Sequence, residues 1–332
     1  MTKADGNRVL TIVGNYFGSP PNILQLWLDS CSLNSKFNWM IFTDIDVSGY
    51  DVPANVEFCR MAQDEFRRML QAPFPYPVRY IKPWDACAFK PCTGRIFKEY
   101  LKESDFWGWT DFDLVYGNLT PVYDLTAHYD KVMPNGHLSL IRNDEKLNEF
   151  IMRHPMTERA VSARYDGLSC YDEGAFRTRV LPEFGAKEDG ELVPYIHLRP
   201  RAGSFRIRTS YACDRILGLG RNPSVPLVVT WHNGDLIAHF AVSKDKVIHI
   251  SVAYIHFFRR EITSRVDRLE ANRHYLIKPN EIIEFDGHDL KSDEISKLDH
   301  RRLHWKYFMD RLNFEVFKRK VKRIFVKGKP YE

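Results

Sequence analysis

The run "RVLTIVGNYFG" at residues 8–18 sets the frame for the whole chain. Its β-branched and apolar residues stop at Gly14 and Gly18, the pattern of a short buried strand opening into a loop. "SPPNILQLWLDSCSLN" then starts with Ser19 and two prolines and carries Ile23, Leu26, Trp27 and Cys31 at helical spacing, which predicts a first helix. "FNWMIFTDID" reads as a second buried strand ending in acidic residues, "VEFCRM" as a third, and "AQDEFRRMLQ" as a short helix. A strand, helix, strand succession at this spacing implies a parallel sheet with helices on its faces, because parallel neighbours need crossover connections. The fold class is therefore α/β. In open sheets of this kind ligands bind beyond the carboxyl ends of the strands, where "NYFG" and "TDID" lie.

Further along, "DACAFKPCTGRIFKEYLKESD" reads as a helical segment interrupted near Pro91 and leading into "FWGWTDFDLVYG". "KVMPNGHLSLIRN", "PLVVTWHNGDLIAHF" and "DKVIHISVAYIHFFRREI" carry strand signals, and the His-Asn-Gly-Asp turn in the second predicts a hairpin. From about residue 290 the pattern changes to helix. No internal repeat or low-complexity segment stands out.

The triplet Asp111-Phe112-Asp113 is the point of greatest tension. It is surrounded by Phe106, Trp107, Trp109, Leu114, Val115 and Tyr116, yet an ionised carboxylate near a core is prohibitive unless paired or bound to a metal. If the backbone is extended there, both carboxylates project to one side of the strand and one cation touches both. Hard oxygen ligands in this spacing suit Mg²⁺ or Mn²⁺ carrying a diphosphate. The plainer alternative is a solvated turn.

The 332 residues are enough for one large or two modest domains. The net charge of +5 is unevenly placed. Residues 299–329 hold eleven Lys/Arg against three Asp/Glu, net +8, so the rest of the chain, with 37 basic and 40 acidic residues, is net −3. That distribution argues against a nucleic-acid-binding body and for a localised electrostatic contact. The six cysteines show neither a C-x-x-C pair nor zinc-type spacing, which predicts free thiols in a reducing compartment. With no signal-peptide pattern and no run approaching ~20 apolar residues, the chain is expected in the cytosol.

The order "VLTIVGNYFG", "WMIFTDID", "DACAFKP", "FWGWTDFDLVYGNL", "NGHLSLIRN", "YDEGAF" and "YIHFFRR" resembles metal-dependent glycosyltransferases of the GT-A fold. The likeness spans roughly residues 8 to 262. It is closest to an uncharacterised family of bacterial polysaccharide-locus proteins with an F-W-G-x-x-D-x-D core, and more distant from the lipopolysaccharide galactosyltransferase and glycogenin group. The resemblance implies a mixed, mainly parallel central sheet. Residues 1–125 would form the nucleotide-sugar-binding half and 126–262 the acceptor half of the same domain, followed by a helical, basic C-terminal region over 263–332.

Position by position, the resemblance makes Asp113 a metal ligand and Asp111 a contact to the metal or the donor ribose, with His256 as third ligand. A hydrogen-bonded core histidine is the alternative for His256. Lys90 matches a basic residue that contacts the donor phosphates, Asp85 an acidic residue near the nucleoside, and Tyr16 and Asp44 the region that holds the base. Arg259 and Arg260 match phosphate contacts, although a solvated strand end suits one of them. Asp172 and Glu173 match an acidic pair facing sugar and acceptor, with a helix N-terminal cap as the alternative. Gly136 and His137 match the acceptor side. The implied activity is transfer of a sugar from a UDP-linked donor, with Mn²⁺ or Mg²⁺, to a glycan or lipid-linked glycan of the bacterial surface. An inactive nucleotide- or glycan-binding protein and a metal-dependent nucleotidyltransferase are the alternatives, and no nucleic acid is expected as partner.

In the tail, Leu303, Tyr307, Phe314, Phe317, Val321 and Ile324 recur at three- and four-residue steps among Lys318, Arg319, Lys320, Lys322 and Arg323. Such a helix either lies on an anionic membrane surface or docks its apolar stripe on the body.

Overall fold

The computed structural model describes residues 8–168, 170–201, 204–220, 225–258, 262–278 and 281–299. From β1 (Leu10–Tyr16) the chain passes through a helix over Leu24–Ser32 to β2 (Phe37–Thr43) and β3 (Val56–Arg60), then a helix over Gln63–Gln71. Strands β4 (Phe106–Thr110), β5 (Leu114–Tyr116), β6 (Lys131–Val132) and β7 (Leu138–Arg142) follow. The first sheet has the order β3-β2-β1-β4-β7-β6. Its β3, β2, β1 and β4 are parallel neighbours; β7 pairs antiparallel with β4, and β6 pairs antiparallel with β7 at the edge. The chain thus leaves β1 toward one edge and returns on its other side as β4. Strand order reverses between β1 and β4, the place where open α/β sheets bind ligands.

Side chains alternate across this sheet, as the pleat requires. Leu10, Ile12, Trp39, Ile41 and Phe106 pack on one face with Trp27 and Leu28 of the first helix. Val13, Phe42, Trp107, Trp109 and Ile141 pack on the other with Phe66 and Leu70 of the second. Covering both faces is why these strands read as continuous apolar runs.

The second half adds β8 (Ile196–Arg201), β9 (Ser204–Thr209), β10 (Leu227–His232), β11 (Asp235–Ser243), β12 (Lys246–Ser251), β13 (Tyr254–His256), β14 (Thr263–Ser264), β15 (His274–Lys278) and β16 (Glu281–Phe285). They form one sheet ordered β12-β11-β10-β15-β16-β14 and another ordered β5-β13-β8-β9. The expected hairpin at "HNGD" is present. Asn233 and Gly234 both have positive φ, 49° and 82°, and join β10 to β11 with the tight twist a two-residue turn needs. The small sheet is centred on β13, which pairs with β5 on one side and β8 on the other.

One expectation fails in this half. The region after residue 262, assigned above to a helical C-terminal part, carries β14, β15 and β16 instead, and among its described residues helix is confined to Ser292–Leu298. Leu276 faces Ile283 and Ile277 faces Ile282 across the β15–β16 ladder, with the buried Tyr275 opposite Glu284. These aromatic and β-branched residues fit a half-buried pleated surface and give β10 a second neighbour. The basic stretch from residue 300 onward lies outside the described residues. None of the six cysteines is joined in a disulfide. No helix among the described residues is long and apolar enough to cross a membrane.

Gly108, in the middle of "FWGW", is required by backbone approach rather than flexibility. A Cβ there would collide with the Ser139 carbonyl of β7 and crowd Leu140. Gly108→Ala is therefore expected to lower the unfolding free energy by about 2–3 kcal/mol, since backbone cannot yield as a side chain can. Urea unfolding of the two proteins measures it, and equal midpoints would contradict the packing described.

Candidate functional site

The bend that joins β4 to β5 positions the two carboxylates. Asp111, Phe112 and Asp113 are not in extended strand, contrary to the expectation from their spacing; β4 ends at Thr110 and β5 begins at Leu114. Phe112 turns inward and is 6% exposed. Its ring lies 5.0 Å from Trp27 and 5.4 Å edge-on from Tyr16. Gly14 of β1 makes the room, because a Cβ there would meet the Phe112 ring at 2.8 Å. With the apolar member of the triplet buried, its polar neighbours are left at the surface of the bend. Backbone bonds hold it in place. The Asp111 amide donates to the His137 carbonyl at 2.9 Å, and the Phe257 amide donates to the Asp113 carbonyl at 2.8 Å.

That last bond brings His256 alongside. Its Nε2 stands 3.1 Å from Asp113 Oδ1 and 4.0 Å from Asp111 Oδ2, with the imidazole buried. One ligand atom from each of Asp111, Asp113 and His256 lies within 4.8 Å of the others. Ligands about 2.1 Å from one ion stand about 3 Å apart when adjacent and about 4.2 Å when opposite, so both spacings fit a shared divalent cation. His256 Nδ1 is buried with no hydrogen-bond partner among the described residues.

Lys90 comes from the 3₁₀ helix over Pro83–Cys92. Its ammonium donates to Asp111 Oδ1 and to the Gly136 carbonyl, each at 2.7 Å, and stands 3.9 Å from Asp172 Oδ2. Burial works against its charge, but Asp111, then Cys87 and Asp172, outweigh burial and raise its pKa above the ordinary lysine value. Asp111 is thus split between two tasks. Oδ1 answers Lys90, and Oδ2 faces His256.

Asp172 and Glu173 sit in the turn before a π-helical segment over Phe176–Val180, which has no side-chain cap. The capping alternative is therefore not taken. Glu173 Oε1 accepts from the Gly136 amide at 3.0 Å and lies 3.7 Å from His137 Nε2. Asp172 is 7% exposed. Burial, opposed by Lys90 and aided by Glu173 and Asp111, pushes its carboxyl up to about 6. Gly136 lets both carboxylates stand close to the backbone: a Cβ would lie 2.6 Å from Asp172 Oδ2 and 2.9 Å from Glu173 Oε1 and would push these side-chain ends aside.

These groups surround a cavity of about 580 Å³, lined by Asp85, Lys90, Asp111, Asp172, Glu173 and His256 among others. Trp84 and Tyr211, each about half exposed, also line it. Tyr16 and Asp44 do not. Tyr16 lies at the end of β1 against Phe112, with its hydroxyl pKa raised by burial and then by Asp113. Asp44 is exposed beyond β2 and accepts the Gly18 amide at 2.9 Å. Asp85 Oδ2 accepts the Ile81 and Lys82 amides at 2.7 and 3.0 Å, which fixes the start of the helix carrying Lys90. Arg259 and Arg260 lie outside the described residues.

Sequence reasoning passed over His197. It lies on β8, in register with His256 of the parallel strand β13, and their rings are 4.7 Å apart. A signal was present: "VPYIH" at 193–197 and "VAYIH" at 252–256 are near-copies. The two strands lie side by side with Ile196 opposite Ile255, and the Tyr195 and Tyr254 rings stacked at 5.1 Å.

No curated protein matches the chain. A solved structure, described as a glycosyltransferase involved in the glycosylation of the major capsid of PBCV-1, is similar over 54% of this chain and 79% of its own, at a TM-score of 0.30 and 11% identity. The family DUF6625, described as a family of unknown function, matches residues 12–286. With most of its length matched, including every described residue of the cavity, the chain belongs to the DUF6625 family.

Proposed function

We propose that the protein is a metal-dependent glycosyltransferase that moves a sugar from a UDP-linked donor to a glycan hydroxyl. The observation that carries this reading is the meeting of Asp111, Asp113 and His256 at ligand distances beside a cavity that is also lined by a second carboxylate pair, Asp172 and Glu173. The motif resemblance adds the donor class and the setting, synthesis of bacterial surface polysaccharide. Under this reading the basic stretch beyond residue 299 is a contact for an anionic membrane carrying a lipid-linked acceptor.

Asp111, Asp113 and His256 would hold the Mn²⁺ or Mg²⁺, which when bound acts as a Lewis acid on the diphosphate leaving group. Lys90, fixed by Asp111 and the Gly136 carbonyl, keeps an ammonium where negative charge develops as the glycosidic bond breaks. Asp172 takes the proton of the acceptor hydroxyl. A base with a pKa near the working pH combines availability with driving force, and burial tunes Asp172 toward that range. Glu173 anchors the Gly136 amide and so positions the wall beside Asp172. The exposed faces of Trp84 and Tyr211 suit stacking against sugar C–H groups at the acceptor side.

Calorimetric titration of UDP with and without Mn²⁺ tests the donor reading. Tight binding is expected only with the metal, and Asp113→Ala should weaken that binding by roughly 100-fold or more, since even outer-shell partners are worth about 10–100-fold. Equal binding in both buffers would overturn it. If Asp172 is the base, nucleotide-sugar turnover rises with pH through about 6 and the rise vanishes in Asp172→Asn. Stability should move the opposite way. The folded chain holds this proton more tightly than the unfolded one, about 6 against 3.8, so the group's contribution is greatest below pH 3.8 and lost as pH passes 6. Thermal melts at pH 7.5 should then show Asp172→Asn more stable than wild type, by up to roughly 3 kcal/mol; a less stable variant would contradict the burial argument.

A further inference from the structure

The repeated strands deliver more than one histidine to the cavity. His137, at the mouth of β7, completes a triangle with His197 and His256. Ring centroids are 4.0 Å apart for His137 and His256, 4.6 Å for His137 and His197, and 4.7 Å for His197 and His256. One nitrogen from each lies within 4.8 Å of the other two, and all three residues are buried. All three also line the cavity, so the triangle has a face open to whatever enters it.

We propose that His137, His197 and His256 form a site for a borderline transition-metal ion such as Zn²⁺ or Co²⁺, distinct in preference from the oxygen-rich pair Asp111 and Asp113. Three converging imidazoles and an open position are what a tetrahedral catalytic ion needs, while Mg²⁺ favours oxygen and water. The second shell is in place. His137 Nδ1 lies 3.2 Å from the Tyr254 hydroxyl, which orients the ring and leaves Nε2 on the side of Glu173. The Tyr195–Tyr254 stack locks the two strands that carry His197 and His256. The sequence supports the same conclusion, because a near-copied pentapeptide places two of the ligands at equivalent positions of adjacent parallel strands. His256 serves both sets, so the ion at the imidazoles borders the position assigned to the donor metal. Its open face lowers the pKa of a bound water or substrate hydroxyl on the side of the cavity where Glu173 stands.

The test needs no nucleotide, so its outcome is separate from that of the donor reading. The full chain, stripped with a chelator, is titrated with Co²⁺ and followed by visible d–d absorption. An intense band from a low-coordinate, nitrogen-rich site is expected, undiminished by a large excess of Mg²⁺. His197→Ala, which leaves the Asp111, Asp113 and His256 set intact, should weaken Co²⁺ binding by about 100-fold or more, while Asp113→Asn should retain the band. A band lost in Asp113→Asn but unchanged in His197→Ala would put the ion among the carboxylates and overturn the proposal. Should His197→Ala fail to fold, X-ray absorption of zinc-loaded wild-type protein decides: three imidazoles in the first shell support the site, and one or none refutes it.

Discussion

The burial of one phenyl ring organises this site. Phe112 wedges between Tyr16 and Trp27 under Gly14, and everything polar around it follows from that. The chain cannot run straight from β4 into β5 while the ring is inside, so it bends, and the bend presents Asp111 and Asp113 to a common point. The gain from burying an aromatic side chain, about 1.5–3 kcal/mol, is thereby used to hold two like charges close together. Neither the first sheet nor the small one could place those carboxylates alone. The ring belongs to the core beneath β1, and the Asp113 carbonyl belongs to the ladder leading into β13.

Two sheets therefore meet at the site with different duties. The parallel sheet supplies the switch point between β1 and β4 and the helix carrying Lys90. The small sheet supplies histidines, which reach the same cavity through β8 and β13. Backbone geometry sets their separation: neighbouring strands stand about 4.8 Å apart, close to the spacing of the His197 and His256 rings. A glycine at 136 then lets Asp172 and Glu173 come close beside Lys90 and His137.

Much of this was legible in local pattern. The runs at β1, β2 and β3, the helices between them and the Asn-Gly hairpin all follow from periodicity and turn chemistry, because burial on both faces and positive φ leave direct marks on residue choice. The carboxylate pair was legible as a cost, since Asp111 and Asp113 stand amid aromatics. Its mechanism was not, because the spacing suggests an extended strand while the burial of Phe112 produces a bend. The contact of Lys90 with the Gly136 carbonyl is not legible locally, because it depends on a residue 46 positions away. The strands after residue 262 were misassigned because their partner, β10, lies far back in the chain. His197 was missed for a related reason. Parallel pairing of β8 with β13 is invisible to any local window, and only the recurrence of V-x-Y-I-H hints at it.

The ion pair between Lys90 and Asp111 has a consequence for how such an acidic pocket holds together. An acidic cluster lacking any internal counter-charge would depend on recruited cations to stay folded, and would collapse or swell each time one departed. Here the neutralising group is tethered to the backbone, so the fold supplies its own counter-charge and its integrity does not hang on a borrowed one.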